Sequence, residues 1–485
     1  MGADRPFGGR VSGARLAMIL GDWRRGGSRR GASDLAAAIE LHVSDGQLPP
    51  GTRLPAERAL ADALGVSRTL VGSALERLRE QGLIASRQGA GSWVTAAGGR
   101  GATLAPAARL DLIDFARASP PAVSGFMAAV DAARPMLTPE LLEHGYSVRG
   151  LPVLRERIAA RYTARGLPTT PAQVLVTNGA HHAFALALRA LVAPGDRVLV
   201  EQPCYPNTPE AIRAAHALAV PVAVDAYAGW DLDGIEAALR QAAPRLAYLV
   251  PDFQNPTGLR MSEADRQRLG AVLSRVRTPA VVDETHAELD LEGDPVDGPA
   301  PLAAFAGDWA ITVGSAAKSF WGGLRLGWIR ASEELLDRLV SARWSLDLGS
   351  PVLEQLVLAE LLADPDPALR ARRQEVRGMR DTLAAAVREH CPEWTFQLPS
   401  GGLGLWCRLP EPMSTRLSVA AANHGVQLAP GSRFGVHGGL ERWLRLPYTQ
   451  PAARLREAVR RLSLAAASAA GVADGVSSTV DATVT

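Results

Sequence analysis

The only lysine of the chain lies in residues 312–327, which read TVGSAAKSFWGGLRLG. All other basic residues among the 52 lysines and arginines of this 485-residue chain are arginines. An arginine guanidinium stays protonated, whereas a lysine amine can lose its proton and attack a carbonyl carbon. Lys318 has small neighbours and is followed by Arg325. The stretch therefore combines an amine nucleophile, space for a ligand and a cation that could bind a phosphate.

These three properties are what a pyridoxal-phosphate site requires. The alternative is that an arginine-biased chain has kept one lysine by chance. Further candidate ligand-binding residues follow predicted strands, where open α/β sheets bind ligands. They are Gly179 and Ala180 in a strand–helix turn, Asn255 in a proline turn, Tyr205, and Asp283 after the apolar run 280–282. Asp283 could keep a pyridinium nitrogen protonated, although each of these residues also has an ordinary structural explanation.

Length and composition predict a globular chain of two or three domains, since single cores rarely exceed about 300 residues. The net charge of +2 excludes a chain-wide attraction to nucleic acid, but it leaves room for a local basic region. The cysteines Cys204, Cys391 and Cys407 show neither disulfide nor metal-ligand spacing, which favours a reducing cytoplasm. Apolar runs stop well short of about 20 residues, so no membrane span is predicted.

The first part of the chain predicts a small helical unit. Residues 1–32 are interpreted as a disordered basic arm, interrupted at most by a short helix near residues 14–23. Residues 33–95 predict a helix, a helix–glycine–helix pair in which Ser67 caps the third helix, and a hairpin with Gly89 at its tip. This order is typical of a winged helix-turn-helix, although a small structural domain would share it. Residues 96–111 predict a flexible linker.

The remainder predicts two lobes within residues 112–465. Strand-like runs at 174–176, 197–200, 246–250, 280–282, 310–313 and 327–329 alternate with helical patterns, which indicates a predominantly parallel sheet with helices on both faces. This large lobe spans about residues 145–345. A smaller α+β lobe at about 346–465 is predicted to contain a strand pair, 394–398 with 403–408, and residues 466–485 a disordered tail.

The helical unit strongly resembles the GntR family of regulators. The resemblance is carried by PGTRLP at 50–55, RALA at 58–61, LGVSRT at 64–69, GLI at 82–84 and the glycine-rich wing. It implies that Arg58, Arg68 and Thr69 contact double-stranded DNA beside Ser67, and that Gly89 lets the wing approach the minor groove. Arg68 and Thr69 also lie in the first helical turn, where a recognition helix reads base edges.

The larger region closely resembles the fold-type-I aminotransferases. Its motifs follow in the family's order: YSVRGLPVLR at 146–155, NGAHHA at 178–183, PCY at 203–205, NPTG at 255–258, DETH at 283–286, SAAK at 315–318, LRLG at 324–327, SGG at 400–402, PG at 430–431 and RL at 445–446. The expected fold class is therefore multidomain, with a winged helix-turn-helix joined to an α/β pyridoxal-phosphate-dependent transferase fold of type I.

The resemblance assigns roles to individual residues. Lys318 would form the internal aldimine, Asp283 would pair with the pyridine nitrogen, Asn255 would bind the ring hydroxyl and Tyr205 would stack on the ring. The phosphate would be held by Gly179, Ala180, Ser315 and Arg325, and by Tyr146 of a second subunit, which implies a homodimer. Arg445 would bind a substrate carboxylate. His286 replaces the family's tyrosine and could donate a hydrogen bond near the ring hydroxyl. Ala317 and His181 also differ from the residues usual in the family at their positions, and together with His286 they predict weak turnover.

The combination resembles the MocR subfamily of GntR regulators. It implies a cytoplasmic, dimeric, DNA-binding regulator that senses pyridoxal phosphate, an amino compound, or both. The alternative is an active aminotransferase with an accessory helix-turn-helix module, because Lys318, Asp283 and Arg445 would permit catalysis. No metal is expected at either site.

Overall fold

The computed structural model describes residues 9–21, 23–24, 31–44, 47–87, 91–95 and 112–470. The predicted linker 96–111, the wing tip with Gly89 and residues 471–485 of the predicted tail lie outside these residues. None of the described helices is both long and apolar enough to cross a membrane. All three cysteines are buried and free.

The N-terminal unit is a helical bundle with a β-hairpin. Its helices are α1 (Gly13–Leu20), α2 (Gly31–Ser44), α3 (Glu57–Leu64) and α4 (Arg68–Glu80), and its antiparallel strands are β1 (Ile84–Arg87) and β2 (Gly91–Val94). Gly65 ends α3 in the left-handed conformation with φ 64°. Ser67 then caps α4, because its side chain accepts a hydrogen bond from the amide of Leu70 at 3.2 Å. The predicted helix–glycine–helix arrangement is confirmed.

Part of the stretch interpreted as a disordered arm is folded. Helix α1 lies within it, and Leu16 and Leu20 are fully buried in the same core as the other helices of the N-terminal unit. The short helix expected near residues 14–23 is therefore present. Only the interpretation of these residues as disordered is wrong, because packing against the other helices stabilises a helix that is too short to be stable alone.

The large lobe is built around one eight-stranded sheet. Strand β3 (Ile113–Phe115) precedes this lobe in the chain and is not part of its sheet. The strands of the sheet are β4 (Val174–Thr177), β5 (Arg197–Gln202), β6 (Leu218–Asp225), β7 (Gly229–Trp230), β8 (Leu246–Leu249), β9 (Ala280–Asp283), β10 (Ala310–Ser315) and β11 (Gly327–Arg330). The helices are α5 (Phe126–Glu140), α6 (Pro152–Ala164), α7 (Ala180–Leu191), α8 (Asn207–Ala214), α9 (Leu232–Ala242), α10 (Glu263–Val276), α11 (Ala303–Ala306), α12 (Glu333–Arg343) and α13 (Val352–Leu361). The strand order is β4-β11-β10-β9-β8-β5-β6-β7. Strand β11 runs antiparallel to both neighbours and β7 to β6, while the other pairings are parallel.

Both faces of this sheet are buried. Val198 and Val200 belong to one core, and Leu199 belongs to the other, because successive strand side chains point to opposite faces. Helices α7, α8 and α12 contribute to the first core, and α6, α9, α10 and α13 contribute to the second. The predicted layered α/β architecture is therefore confirmed.

The small lobe combines segments from the beginning and the end of residues 112–470. It contains α14 (Asp366–His390), β12 (Gly404–Arg408), α15 (Ser414–Asn423), β13 (Val426–Leu428), β14 (Trp443–Pro447) and α16 (Ala452–Ala470). Strand β13 pairs in parallel with β3, so the segment after the linker joins this lobe.

Three predictions for the small lobe differ from the structure, one about a strand and two about boundaries. Residues 394–398 do not form a strand, since Thr395 makes only an isolated bridge to Arg408 and the partner of β12 is β14. Helix α16 extends to Ala470, beyond the predicted start of the tail. Helix α13 packs in the large-lobe core, although its residues follow the predicted lobe boundary.

Candidate functional site

A cavity of about 670 Å³ lies between the carboxyl ends of the central strands and the small lobe. Residues from both lobes line it. They include ten residues that the sequence singled out: Gly179, Ala180, Tyr205, Asn255, Asp283, His286, Ser315, Lys318, Arg325 and Arg445. Sequence positions more than 260 residues apart therefore meet at one place, as ligand sites at the strand ends of α/β sheets require.

Lys318 occupies a single π-helical turn, Ala317–Trp321, close to the end of β10. Such turns are frequent at functional sites. Its Nζ donates a hydrogen bond to the carbonyl oxygen of Ala118 at 2.7 Å. Burial, and then the positive charge of Arg445, lower the pKa of Lys318 to about 8. A larger share of the amine is therefore neutral near physiological pH, which is the form that attacks an aldehyde.

Asp283 ends β9, and its carboxylate is held on both oxygens. Tyr248 Oη donates a hydrogen bond to Oδ2, and the amide of Thr285 donates to Oδ1 at 2.8 Å. Burial raises the pKa of Tyr248, so this hydroxyl remains a donor. The sequence analysis did not select Tyr248. The available signal was one tyrosine inside an apolar strand, and only the strand register brings its hydroxyl to Asp283.

His286 lies in the cavity wall as a neutral imidazole. Burial and then the charge of Lys318 lower its pKa to about 4. Its Nδ1 lies 3.1 Å from the carbonyl oxygen of Phe253, and a carbonyl only accepts hydrogen bonds, so Nδ1 carries the proton. The other ring nitrogen then has no hydrogen. The expectation that His286 donates towards a ring hydroxyl is therefore corrected, since Nε2 can only accept.

One end of the cavity has the features of a phosphate site. Gly179 has φ +94°, and a Cβ there would come within 3.1 Å of Arg325 Nη2. Ala180 begins α7, whose first amides lack intrahelical partners and favour an anion. Arg325 Nη2 donates to the carbonyl of Asn178 at 3.2 Å. Ser315 ends β10 beside them, with its hydroxyl accepting from the amide of Ala317.

Arg445, on β14, forms the opposite end of the cavity. Its side chain is buried, and burial lowers its pKa to about 10. Nη2 donates to the carbonyl of Ala116 at 2.5 Å, and Nη1 donates to Asn255 Oδ1 at 3.3 Å. The guanidinium also lies over the ring of Phe434, 5.0 Å from its centre. This environment suits a carboxylate, which would replace one uncharged acceptor with a charged one.

A short segment of the chain, residues 116–119, crosses the site; we call it the strap. Its carbonyl oxygens at Ala116 and Ala118 accept hydrogen bonds from Arg445 and Lys318. The strap directly follows β3, and the linker 96–111 precedes that strand. A ligand that binds Lys318 and Arg445 therefore shares these two cations with the strap or displaces it. No side-chain pattern predicts these contacts, because the acceptors are backbone atoms of the strap.

The two tyrosines selected by resemblance lie in different places. Tyr205 lines the cavity, and its hydroxyl accepts from Asn207 Nδ2 at 2.8 Å. Tyr146 does not line this cavity and is 63% exposed. It borders a second cavity of about 420 Å³ on the other side of Arg325. The Tyr146 side chain is thus accessible to a second protein molecule and does not line the cavity of its own chain.

The candidate DNA interface lies on the N-terminal unit. Arg58, Ser67, Arg68 and Thr69 are exposed, and the last three are at the start of α4. Arg68 Nε lies 3.3 Å from Glu57 Oε2, an exposed pair that contributes little to stability and can open for a phosphate or base.

The N-terminal unit contacts the segment Gly431–Trp443 of the small lobe. Arg15 Nη1 lies 3.4 Å from His437 Nδ1, and a Cβ on Gly438 would come within 2.8 Å of the carbonyl oxygen of Met18. The charge of Arg433 acts on His42, which is fully buried in α2. Arg433 also lines the cofactor cavity. One segment therefore contacts the DNA-binding unit and borders the ligand site.

The described residues fit pyridoxal phosphate. A lysine with a lowered pKa, an aspartate held on both oxygens and a phosphate site lie in one cavity of suitable size. Thr285, next to Asp283, lines the same cavity, and its buried hydroxyl has no hydrogen-bond partner among the described residues.

Two family models match the chain. The model for aminotransferase class I and II matches residues 128–462, and the model for bacterial regulatory proteins of the gntR family matches residues 32–94. The second range coincides with the helices and hairpin of the N-terminal unit but excludes α1.

Curated relatives include regulators and transaminases. The uncharacterized HTH-type transcriptional regulator YdcR of Escherichia coli is 28% identical over 85% of this chain and 93% of its own length. The probable rhizopine catabolism regulatory protein MocR of Rhizobium meliloti is 29% identical over 82% of this chain and 86% of its own. The 2-aminoadipate transaminase of Thermus thermophilus is 33% identical over 63% of this chain and 78% of its own.

The fold is similar to that of a solved aminotransferase. LysN, the alpha-aminoadipate aminotransferase of Thermus thermophilus complexed with N-(5'-phosphopyridoxyl)-L-leucine, superimposes with a TM-score of 0.68 and 30% identity. The match covers 74% of this chain and 93% of LysN. What this chain adds to the enzyme fold is the N-terminal unit.

Proposed function

Since the chain belongs to the MocR subfamily, in which a GntR-family helix-turn-helix domain precedes a class I and II aminotransferase domain, we propose that it is a regulator that senses pyridoxal phosphate, an amino compound, or both. The observation that carries this proposal is the segment Gly431–Trp443, which contacts the DNA-binding unit on one side and borders the cofactor cavity on the other. A ligand that binds two arrangements of this segment unequally shifts the population between them.

We propose tasks towards the cofactor for the cavity residues that the resemblance selected, and for Tyr248. Pyridoxal phosphate, when bound, supplies an aldehyde to the amine and a ring that accepts electrons. Lys318 would provide the amine, and Asp283, oriented by Tyr248, would hold the pyridine nitrogen protonated. Asn255 would bind the ring hydroxyl and Tyr205 would stack on the ring. Gly179, Ala180, Ser315 and Arg325 would bind the phosphate.

The strap is the segment that we propose responds to ligand binding. Arg445 and Lys318 hold it through two carbonyl oxygens, so a carboxylate at Arg445 and the cofactor at Lys318 would both compete with it. Because the strap follows β3 and the linker, its release would alter the anchoring of the DNA-binding unit. An amino compound with a carboxylate is therefore the proposed effector class, with Arg445 as the carboxylate-binding residue.

A homodimer is the proposed assembly. Exposed apolar side chains follow the ends of α5 and α12, namely Leu141 at 72%, Leu142 at 86%, Tyr146 at 63% and Trp344 at 58% exposure. Exposed apolar patches of this kind mark interaction sites. Tyr146 would reach the phosphate of the second subunit, and the regulator would act in the cytoplasm, where its DNA is. Analytical ultracentrifugation should give a particle of two chains, and a monomer at micromolar concentration would exclude this assembly.

The second candidate function is an aminotransferase with an accessory DNA-binding module. It is favoured by the meeting of Lys318, Asp283 and Arg445 in one cavity. The altered hydrogen bonding of His286 argues against rapid turnover, since Nε2 cannot donate to the ring hydroxyl.

A single experiment separates the two. The purified chain, with and without pyridoxal phosphate and a panel of amino acids, is tested for binding to the DNA upstream of its own gene at fixed salt. The regulator proposal expects specific binding that the ligands change. Sustained conversion of amino acids and keto acids without specific binding to duplex DNA would establish the enzyme instead.

A further inference from the structure

The hairpin of the N-terminal unit is extended by two further segments of the chain. Residues 9–11 run beside residues 52–54, where backbone hydrogen bonds of 2.9 and 3.0 Å join Arg53 to Gly9 and Val11. Residues 52–54 pair in turn with β2, because two backbone hydrogen bonds of 2.9 and 3.0 Å join them. The N-terminal segment that the sequence predicts as a disordered basic arm therefore forms the edge of a small sheet.

The pairing places three arginines on one side of this sheet. Arg10 lies opposite Arg53, and Arg53 lies opposite Trp93. Trp93 lies opposite Ala85, and Arg87 is two residues further along β1. Residues that face each other across strands point to the same side, as do residues two apart on one strand. We call this side, with Arg10, Arg53, Arg87 and Trp93, the wing face.

The wing face is open to solvent, whereas the other side of the sheet is buried. Val11, Leu54 and Val94 on the other side belong to the core of the N-terminal unit. The three arginines of the wing face are exposed, and Trp93 between them is half-buried. Within the part of the chain that the structure describes, none of these arginines has a carboxylate partner. Their charges are therefore available to an anionic partner.

The wing face adjoins the candidate DNA interface. Arg53 precedes Glu57 by four residues, which span at most about 14 Å of chain. The carboxylate of Glu57 lies 3.3 Å from the Nε of Arg68, at the start of α4. Duplex DNA carries one negative charge for about every 1.7 Å of its axis, so a duplex that contacts α4 also presents phosphates beyond it.

We propose that the wing face is a second DNA-binding surface, which binds backbone phosphates beside the bases contacted from α4. The inference rests on the proposed function, since it extends the surface with which the regulator holds its DNA. The three arginines bind phosphate oxygens, and the ring of Trp93 packs against the sugars between them. Phosphate contacts fix the position of a protein on the duplex and carry no sequence information directly.

The test uses the full-length protein and two duplexes, the DNA upstream of its own gene and a scrambled duplex of the same length. Fluorescence anisotropy gives the affinity for each between about 50 and 200 mM salt. The triple variant Arg10→Gln, Arg53→Gln, Arg87→Gln should bind both duplexes more weakly. Its slope of log affinity against log salt should be shallower by roughly 3, since each lost phosphate contact lowers the slope by about 1.

Two variants separate phosphate contacts from a general loss of charge. Arg77→Gln removes an exposed arginine from the last turn of α4 and should leave the slope unchanged. Arg53→Lys keeps the charge and should keep the slope. If the triple variant unfolds at a lower temperature than the wild type, Arg10→Gln and Arg87→Gln are measured singly, and each should lower the slope by about 1.

Three results would overturn the proposal. The first is an unchanged slope in folded variants, which would leave an acidic protein as the partner of the wing face. The second is an equal reduction in Arg77→Gln, and the third is a loss of affinity confined to the upstream duplex. A wild-type protein that binds neither duplex would instead contradict the proposed function.

Discussion

Lys318 and Arg445 donate hydrogen bonds to carbonyl oxygens of the same strap, at Ala118 and Ala116. The two side chains that the resemblance assigns to cofactor and carboxylate are thus partly engaged by the protein itself, while the buried Nε of Arg445 has no hydrogen-bond partner among the described residues. A ligand can use the donors that remain. It gains from charge, since a carboxylate at a buried guanidinium is a stronger partner than a peptide carbonyl.

Replacing Lys318 with alanine should abolish the visible absorbance that pyridoxal phosphate acquires on condensing with the lysine amine. The chain contains no other lysine, so no neighbouring amine can substitute. Absorbance spectra of the wild type and variant with added cofactor check this, and Arg454→Ala serves as the control for folding and cofactor access. An unchanged band in the Lys318→Ala protein would show that another amine reacts.

His42 should make the protein less stable in mild acid. Burial, and then the charge of Arg433, lower its pKa to about 4, whereas an unfolded chain has a histidine pKa of about 6.5. The unfolded state therefore binds more protons between these values, so stability falls as pH drops through this window. The loss at pH 5 relative to pH 7 should be about 2 kcal/mol. Thermal unfolding of the wild type and His42→Gln across this range should show a weaker pH dependence in the variant, and parallel curves would exclude His42 as the cause.

At the scale of elements, helix α4 explains how the N-terminal unit can read DNA. Leu70 is half-buried and packs against the core of the unit, whereas Arg68 and Thr69 project from the exposed first turn. A Cβ on Gly72 would meet only the distant carboxylate of Glu57, at 3.8 Å, so that position leaves space beside the helix. The N-terminal turn of α4 therefore presents Arg68 and Thr69 on its exposed surface.

Arg68→Ala should weaken binding to the operator by about 1–3 kcal/mol if Arg68 contacts a base. Arg77→Ala is the matched control, because Arg77 is exposed in the last turn of the same helix. Anisotropy titrations at one fixed salt concentration measure both. Equal losses in the two variants would indicate a general charge effect, and no loss for Arg68→Ala would remove Arg68 from the interface.

At the scale of the whole molecule, the DNA-binding unit is connected to the ligand site in two ways. The chain itself connects them, because the linker leads into β3 and the strap. Tertiary contacts connect them again, because α1 and α2 face the segment Gly431–Trp443. A unit tethered only by a linker would not respond to the ligand, whereas a packed contact between two rigid bodies can transmit a change in either.

Gly438→Ala should weaken the contact between α1 and the small lobe. Gly438 has φ +82°, and its added Cβ would come within 2.8 Å of the Met18 carbonyl oxygen. Gly439 is the matched control, because its φ of +79° imposes the same backbone strain while nothing lies within 4 Å of a Cβ. Hydrogen exchange of residues 13–20 should be faster in Gly438→Ala than in Gly439→Ala. Equal protection in the two variants would show that this contact does not hold α1.

The sequence predicted the layered fold, and its resemblance to the aminotransferases indicated ten of the residues that line the cavity, although Tyr248 and the strap were not predicted. Hydrophobic periodicity determines which face of a strand or helix is buried, and the punctuated turns after strands mark where ligands bind, so both kinds of information are local. The unique Lys318 is the extreme case, since its chemistry is visible in the composition alone.

Only the tertiary structure decided what these residues contact. The tautomer of His286 depends on the carbonyl of Phe253, and the orientation of Asp283 depends on Tyr248, 35 residues away in sequence. The contacts of the strap depend on backbone oxygens that no side-chain pattern reveals. The folding of α1 likewise depends on a core formed by other helices. The physical reason is the same in each case: hydrogen bonds and packing between distant segments are properties of their relative placement in space, which local sequence does not encode.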